Sequence, residues 1–131
     1  MRTLILLIAL SGTTLVAQAA TWTSFFASPE FEAEFNKDSI QPINNLFVAN
    51  FRFSYATAKV NKENGASYLS AVVTSRFDCV SRRFAPYQRL EFSGQKGTGI
   101  QVAKISLPDA KLEPITSGLI NETMFDLVCK G

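Results

Sequence analysis

From Trp22 to Leu107, apolar and polar residues alternate with period two far more often than with the 3.6-residue period of a helix. Trp22 to Ala27 predicts a first strand. Phe31, Ala33 and Phe35 then alternate with Glu30, Glu32 and Glu34, as in a half-buried strand with an acidic, solvated outer face. Gln41-Pro42-Ile43-Asn44-Asn45 reads as a turn. Phe47, Ala49, Phe51, Phe53 and Tyr55 alternate with Asn50, Arg52 and Ser54, the clearest strand pattern in the chain. Lys62-Glu63-Asn64-Gly65 marks the next turn.

In the following strand Leu69, Ala71, Val73, Phe77 and Cys79 share one face, and Tyr68, Ser70, Thr74, Arg76 and Asp78 the other. This phase points the Cys79 sulfur toward the core. A further strand follows Pro86, from about Tyr87 to Ser93. The Gly94–Gly99 segment turns the chain, and Ile100 to Leu107 returns. The phase of that last strand slips near Val102-Ala103, which predicts a bulge or burial on both faces.

The tail changes period. Pro114 to Ser117 reads as the start of a helix, with Thr116 or Ser117 as N-cap. Ile120, Met124, Leu127 and Val128 form an apolar stripe at helical spacing. Cys129 falls roughly opposite that stripe at 100° per residue, so either the helix unwinds before it or two edges are buried. The expected fold class is α+β: an antiparallel sheet with one C-terminal helix on its core face.

The first residues belong to neither pattern. Arg2 precedes the apolar run Leu4–Leu10, Ser11 to Thr14 break it, and Ala17-Gln18-Ala19 is a small-x-small cleavage site. That order is a secretory signal peptide, too short and interrupted for a membrane span. Residues 1–19 are therefore expected to be removed, leaving 20–131 as a single domain. No cysteine follows the cleavage site to accept a lipid, so the mature chain is expected to be periplasmic or secreted, not lipid-anchored.

Export changes the meaning of the two cysteines. In an oxidising compartment an even count implies a bridge, here Cys79–Cys129. The competing readings are two buried thiols or part of a metal site. The chain contains no histidine, so a zinc site would have to recruit carboxylates. Eleven phenylalanines supply core volume. The mature chain carries twelve basic and eleven acidic residues. Such near-neutrality speaks against coating nucleic acid or anionic membrane.

Candidate chemistry is sparse. The glutamates at 30, 32 and 34 alternate along a strand instead of converging, unlike a calcium loop. Lys96 sits among glycines, but the spacing fails the phosphate-loop pattern and a hairpin explains it. No histidine base is available to activate a serine, and no catalytic residue, metal ligand or cofactor is assigned. What remains is a set of anchors suited to macromolecular contact. Arg52, Tyr68 and Arg76 are expected on the outer sheet face, with Arg82 and Arg83 at the strand end after Cys79. The competing reading pairs those arginines with Glu30, Glu32 and Glu34.

Asp38-Ser39-Ile40 after an early strand, Tyr68-Leu69-Ser70 leading to Asp78-Cys79, Arg82-Arg83, Tyr87 with its Gly-rich turn, and the ending Leu127-Val128-Cys129-Lys130 together resemble the surface-adhesin protein E family. The resemblance covers essentially the whole mature chain. It implies a twisted antiparallel sheet, a C-terminal helix tethered to it by the two cysteines, and a non-enzymatic role binding host proteins at the cell surface. The missing lipid-acceptor cysteine departs from surface display. Three classes stay in view: an envelope binding module for a protein or matrix-type macromolecule, a periplasmic inhibitor or immunity protein, and, weakest, an enzyme. A homodimer is left open. Intact-mass analysis of the chain exported from a bacterial host is expected to show a mature species starting at Ala20 or Thr21; retention of Leu4–Leu10 would make the segment an anchor.

Overall fold

The computed structural model describes Gly12 and residues 21–131; the signal peptide expected at 1–19 lies, apart from Gly12, outside the described residues. Seven strands join one antiparallel sheet: β1 (Thr23–Ala27), β2 (Phe31–Ile43), β3 (Leu46–Val60), β4 (Ser67–Asp78), β5 (Arg83–Phe92), β6 (Gln101–Ser106) and β7 (Glu113–Pro114). The spatial order β1 to β6 follows the sequence, as in a meander, and β7 also pairs with β5. One helix, α1 (Ile120–Cys129), follows. The expected α+β architecture is present.

The core lies between the sheet and α1. Phe35, Ala49, Phe51 and Phe77 from β2, β3 and β4 meet Met124, Phe125 and Val128 from the helix. Ring centroids are 5.2 Å apart for Phe35–Phe51, 5.9 Å for Phe51–Phe77 and 6.4 Å for Phe77–Phe125. Cys79 continues the Phe77 face and is bonded to Cys129, with Cα atoms 5.6 Å apart. The helix runs through Cys129 without unwinding. Two of its edges are therefore covered. Phe125, outside the expected stripe, is fully buried because it fills the angle between Phe77 and the strand end.

Four local expectations need correction. Gln41, Pro42 and Ile43 do not turn but pair with Val48, Phe47 and Leu46, and the reversal is confined to Asn44-Asn45, with Asn44 at φ 48°. Pro42 fits a strand because β1 pairs with β2 only as far as Phe35, so its missing N–H faces an open edge. β5 starts at Arg83, ahead of Pro86. Pro86 is tolerated in this interior strand because the β4–β5 register shifts there, with Ser75 opposite Pro86 and Thr74 opposite Gln88. The helix begins at Ile120; its N-cap is Leu119, without a side-chain cap bond, because Gly118 at φ 81° separates it from Thr116 and Ser117. Glu113-Pro114 pairs as β7 instead of opening the helix.

The phase slip in β6 is a true irregularity: Ala103 opposes Glu91 while Gln101 opposes Phe92, leaving Val102 between them. Two measurements test the core. Phe125→Ala is expected to cost about 3–5 kcal/mol in urea unfolding. Replacing both cysteines by serine is expected to cost about 4 kcal/mol, because the bond closes a 50-residue separation. A loss under about 1 kcal/mol in either variant would remove that group from the core account.

Candidate functional site

The outer face of the sheet, away from α1, is partly covered by the chain itself. A 3₁₀ turn at Gln95–Gly97 between β5 and β6 folds back over β3 and β4. Lys96 N–H donates to Ser54 Oγ (3.1 Å) and Gly97 N–H to Ser70 Oγ (2.8 Å). Arg52 Nη1 donates to the Lys96 carbonyl at 3.2 Å. These bonds hold Lys96 at φ 55°, a conformation unusual for a side-chain-bearing residue.

Beneath the turn, Arg52 grips Glu34 through Nε–Oε1 at 3.0 Å and Nη2–Oε2 at 2.8 Å. Lys96 Nζ lies 3.4 Å from Glu32 and 3.8 Å from Glu34, and Trp22 stacks 4.5 Å from the Arg52 guanidinium carbon. Glu34 is only 4% exposed. The expected solvated acidic face is corrected at Glu34, where the competing arginine pairing holds as a bidentate, aromatic-capped ion pair under the turn; Glu30 stays exposed.

Tyr68 also departs from its expected face. The β3–β4 register shifts between Ser54 and Lys59. The Tyr68 ring then packs edge-on to Tyr55 at 6.0 Å, and its hydroxyl accepts from Arg89 Nη2 at 3.2 Å. Arg89 and Glu91 oppose Val73 and Ala71, so this cluster sits on the helix side of the sheet, beyond the helix. Arg89 Nε donates to Glu91 at 2.9 Å, and buried Asn61 Nδ2 donates to the other oxygen at 2.6 Å. Burial works to raise the Glu91 pKa, but hydrogen bonds from Asn61 and Arg89 outweigh it and hold the carboxyl below its ordinary value. Burial raises the Tyr68 phenol. The opposite charges on alternate positions, Arg89 and Glu91, were a readable signal for a same-face pair; Asn61 carried none.

Arg82 and Arg83 lie on opposite sides of the strand start. The Arg82 guanidinium stacks 4.8 Å from the Phe125 ring, with its backbone at φ 54°. Arg83 is exposed, and its backbone pairs with Asp78 and Pro114.

Arg76 has a different setting. It opposes Val48 on the outer face, at the end of the sheet near the β2–β3 turn. The β5 register shift leaves Tyr87 as the extra residue, and its ring sits 5.7 Å from the Arg76 guanidinium carbon. Ile43, Asn44, Leu46, Val48 and Pro108 complete a groove of about 290 Å³ around the pair. Ile43 and Tyr87 are exposed. The sequence-expected anchors are therefore not one surface: the structure brings Arg76 beside Tyr87 and separates them from Arg52, Tyr68 and Arg82, while Arg83 lies across from Asp78, two residues along β4 from Arg76. Among the described residues no group of three or more acidic or cysteine side chains could hold a metal.

A disulfide-closed antiparallel meander, backed on one face by a short C-terminal helix and open at one end of the other, defines a small α+β sheet-and-helix domain. The chain belongs to the surface-adhesin protein E family, whose sequence model matches residues 22–130. Its fold is similar to that of protein E from Haemophilus influenzae: at 10% identity the two superpose with a TM-score of 0.61, over 91% of this chain and 90% of that one. A second structure, protein E from non-typeable Haemophilus influenzae, gives 9% identity and a TM-score of 0.59 over 88% and 79% of the two chains. No curated protein matches by sequence. No helix among the described residues is long and apolar enough to cross a membrane.

The lowered Glu91 pKa has a stability consequence with a definite sign. A depressed carboxyl stabilises the fold above its unfolded value near 4.5 and loses that contribution as pH falls through the folded value. Glu91→Gln is expected to lose about 1–3 kcal/mol near pH 7, with the gap to wild type closing as the pH falls below the unfolded carboxyl range. A gap independent of pH would show that packing, not charge, is what Glu91 supplies.

Proposed function

We propose that the mature chain is an exported, non-enzymatic binding protein of the cell envelope, periplasmic or secreted, that contacts a protein or matrix-type macromolecule. Family membership supports the binding role. The observation that carries the reading to this chain is the end of the outer sheet face, where Ile43 and Tyr87 are exposed around Arg76. Aromatic and arginine side chains in a small apolar depression are the usual anchors of protein interfaces.

The five anchors named from sequence divide within this proposal. Arg76, Arg82 and Arg83 remain contact candidates. Arg52 and Tyr68 are engaged within the fold, and their contribution is to hold the sheet in shape. Absence of a lipid-acceptor cysteine supports a periplasmic or secreted location.

Capture of partners from host and envelope extracts on the immobilised mature chain tests the reading. Alanine at Arg76 is expected to weaken the captured complex by about 2 kcal/mol, and alanine at Arg82 or Arg83 by less. Arg52→Ala is expected to lower the melting temperature instead. Selective recovery of one bacterial toxin or hydrolase would favour an inhibitor over an adhesin. Equal binding by the Arg76, Arg82 and Arg83 variants would move the contact to the loops or sheet edges.

A further inference from the structure

The Arg76 groove allows the proposed binding role, on which this inference rests, to be made chemically specific. Four arginines stand on the central strands; Arg83, at the start of β5, is exposed to solvent, and the partners of the other three differ. Arg52 is ion-paired to Glu34 and Arg89 to Glu91. Arg76 makes no ion pair among the described residues. Its Nη2 donates to the neutral Ala110 carbonyl at 2.6 Å, and its Nε is buried with no hydrogen-bond partner. Asp109, adjacent to Ala110 in sequence, is exposed and does not pair with it. A half-buried guanidinium without a counter-charge is costly, and a carboxylate placed on it recovers much of that cost through charge-assisted hydrogen bonds.

The wall around this charge is apolar: Ile43, Leu46, Val48, Pro108 and the Tyr87 ring. A ligand matched to the groove therefore brings an anion and an apolar group close together. We propose that the groove receives the C-terminal residue of a partner polypeptide, an aliphatic side chain bearing a free α-carboxylate. Both features then hang from one Cα. An internal acidic residue in an extended segment fits less well. Its immediate neighbours point to the opposite side, and its same-side neighbour lies about 6.5–7 Å away. The open β2 edge beside the groove carries Pro42, whose missing N–H removes a donor there, so strand addition is a poor source of affinity.

Nuclear magnetic resonance titration of the ¹⁵N-labelled mature protein tests this. The probes are acetyl-Gly-Gly-Leu with a free C-terminus, the same peptide amidated, acetyl-Gly-Asp-Leu-Gly-amide, and sodium acetate. The free-acid peptide is expected to produce saturating shifts of the Leu46, Val48 and Tyr87 amides below about 10 mM. The amidated and internal-acid peptides are expected to bind at least tenfold more weakly, and acetate not to saturate. Arg76→Gln is expected to abolish the response, and Ile43→Ser to weaken it if Arg76→Gln proves unfolded. Arg83→Ala is expected to bind like wild type.

Equal binding of acid and amide, saturation by acetate alone, an unaffected Arg76→Gln variant, or no shifts at all would overturn the inference. So would shifts at these amides on raising protein concentration alone, which would place a second copy in the groove. These outcomes are separate from the extract capture. A partner held by wild type whose C-terminus can be amidated without loss sinks the groove assignment and leaves the binding role standing. Peptide binding with no captured macromolecule does the reverse.

Discussion

Phe51 is wholly buried at the centre of the sheet, stacked on Phe35, tilted against Phe77, and roofed by the C-terminal helix. This contact sets which face of the sheet is dry. A meander of hairpins has no intrinsic inside, because each strand can bury either side. Once the phenylalanines of β2, β3 and β4 are committed to the helix, the period of two commits every other side chain on those strands to the opposite face. A ten-residue helix is marginal alone. The bond from Cys129 to Cys79 fastens its last residue to the strand that carries Phe77, so the packing and the covalent link act on the same few square ångströms.

The short helix leaves sheet uncovered on both sides, and the two exposed regions are handled by polar chemistry of different kinds. Beyond the helix, Tyr55, Tyr68, Arg89, Glu91 and Asn61 form a paired network, so an area without apolar cover still has its charges and amide satisfied. On the outer face, the β5–β6 turn and the Arg52–Glu34 pair cover the middle. Among the described residues of that face, it is near the β2–β3 turn that an arginine is left with a carbonyl in place of a carboxylate. That contrast separates Arg76 from its counterparts, and it is invisible in any count of basic residues.

Bulges determine these placements as much as the strands do. The shift in β5 accommodates Pro86 and turns Tyr87 toward Arg76. The shift between Ser54 and Lys59 carries Tyr68 to the helix side. Both occur where the alternation of the sequence continues unbroken on at least one strand, so the change of face has no local signature. The slip near Val102 is the exception, since there the apolar residues themselves fall out of phase.

Alternation of apolar residues over Phe31–Phe35, Phe47–Tyr55 and Leu69–Cys79 was enough to determine an antiparallel sheet, its core face and the inward direction of Cys79, because side-chain direction in a strand follows parity wherever no bulge intervenes. The change of period after Pro114 determined the helix. Parity could not determine which outward residue is solvated. Glu34 reads like Glu30 in sequence, yet it is buried under a turn contributed some sixty residues later. Arg52 and Arg76 likewise read as equivalents. Their difference arises from what distant chain brings beside each, a glutamate on β2 in one case and the Ala110 carbonyl in the other. Electrostatic pairing is a property of assembled neighbours, and only the tertiary structure decides it.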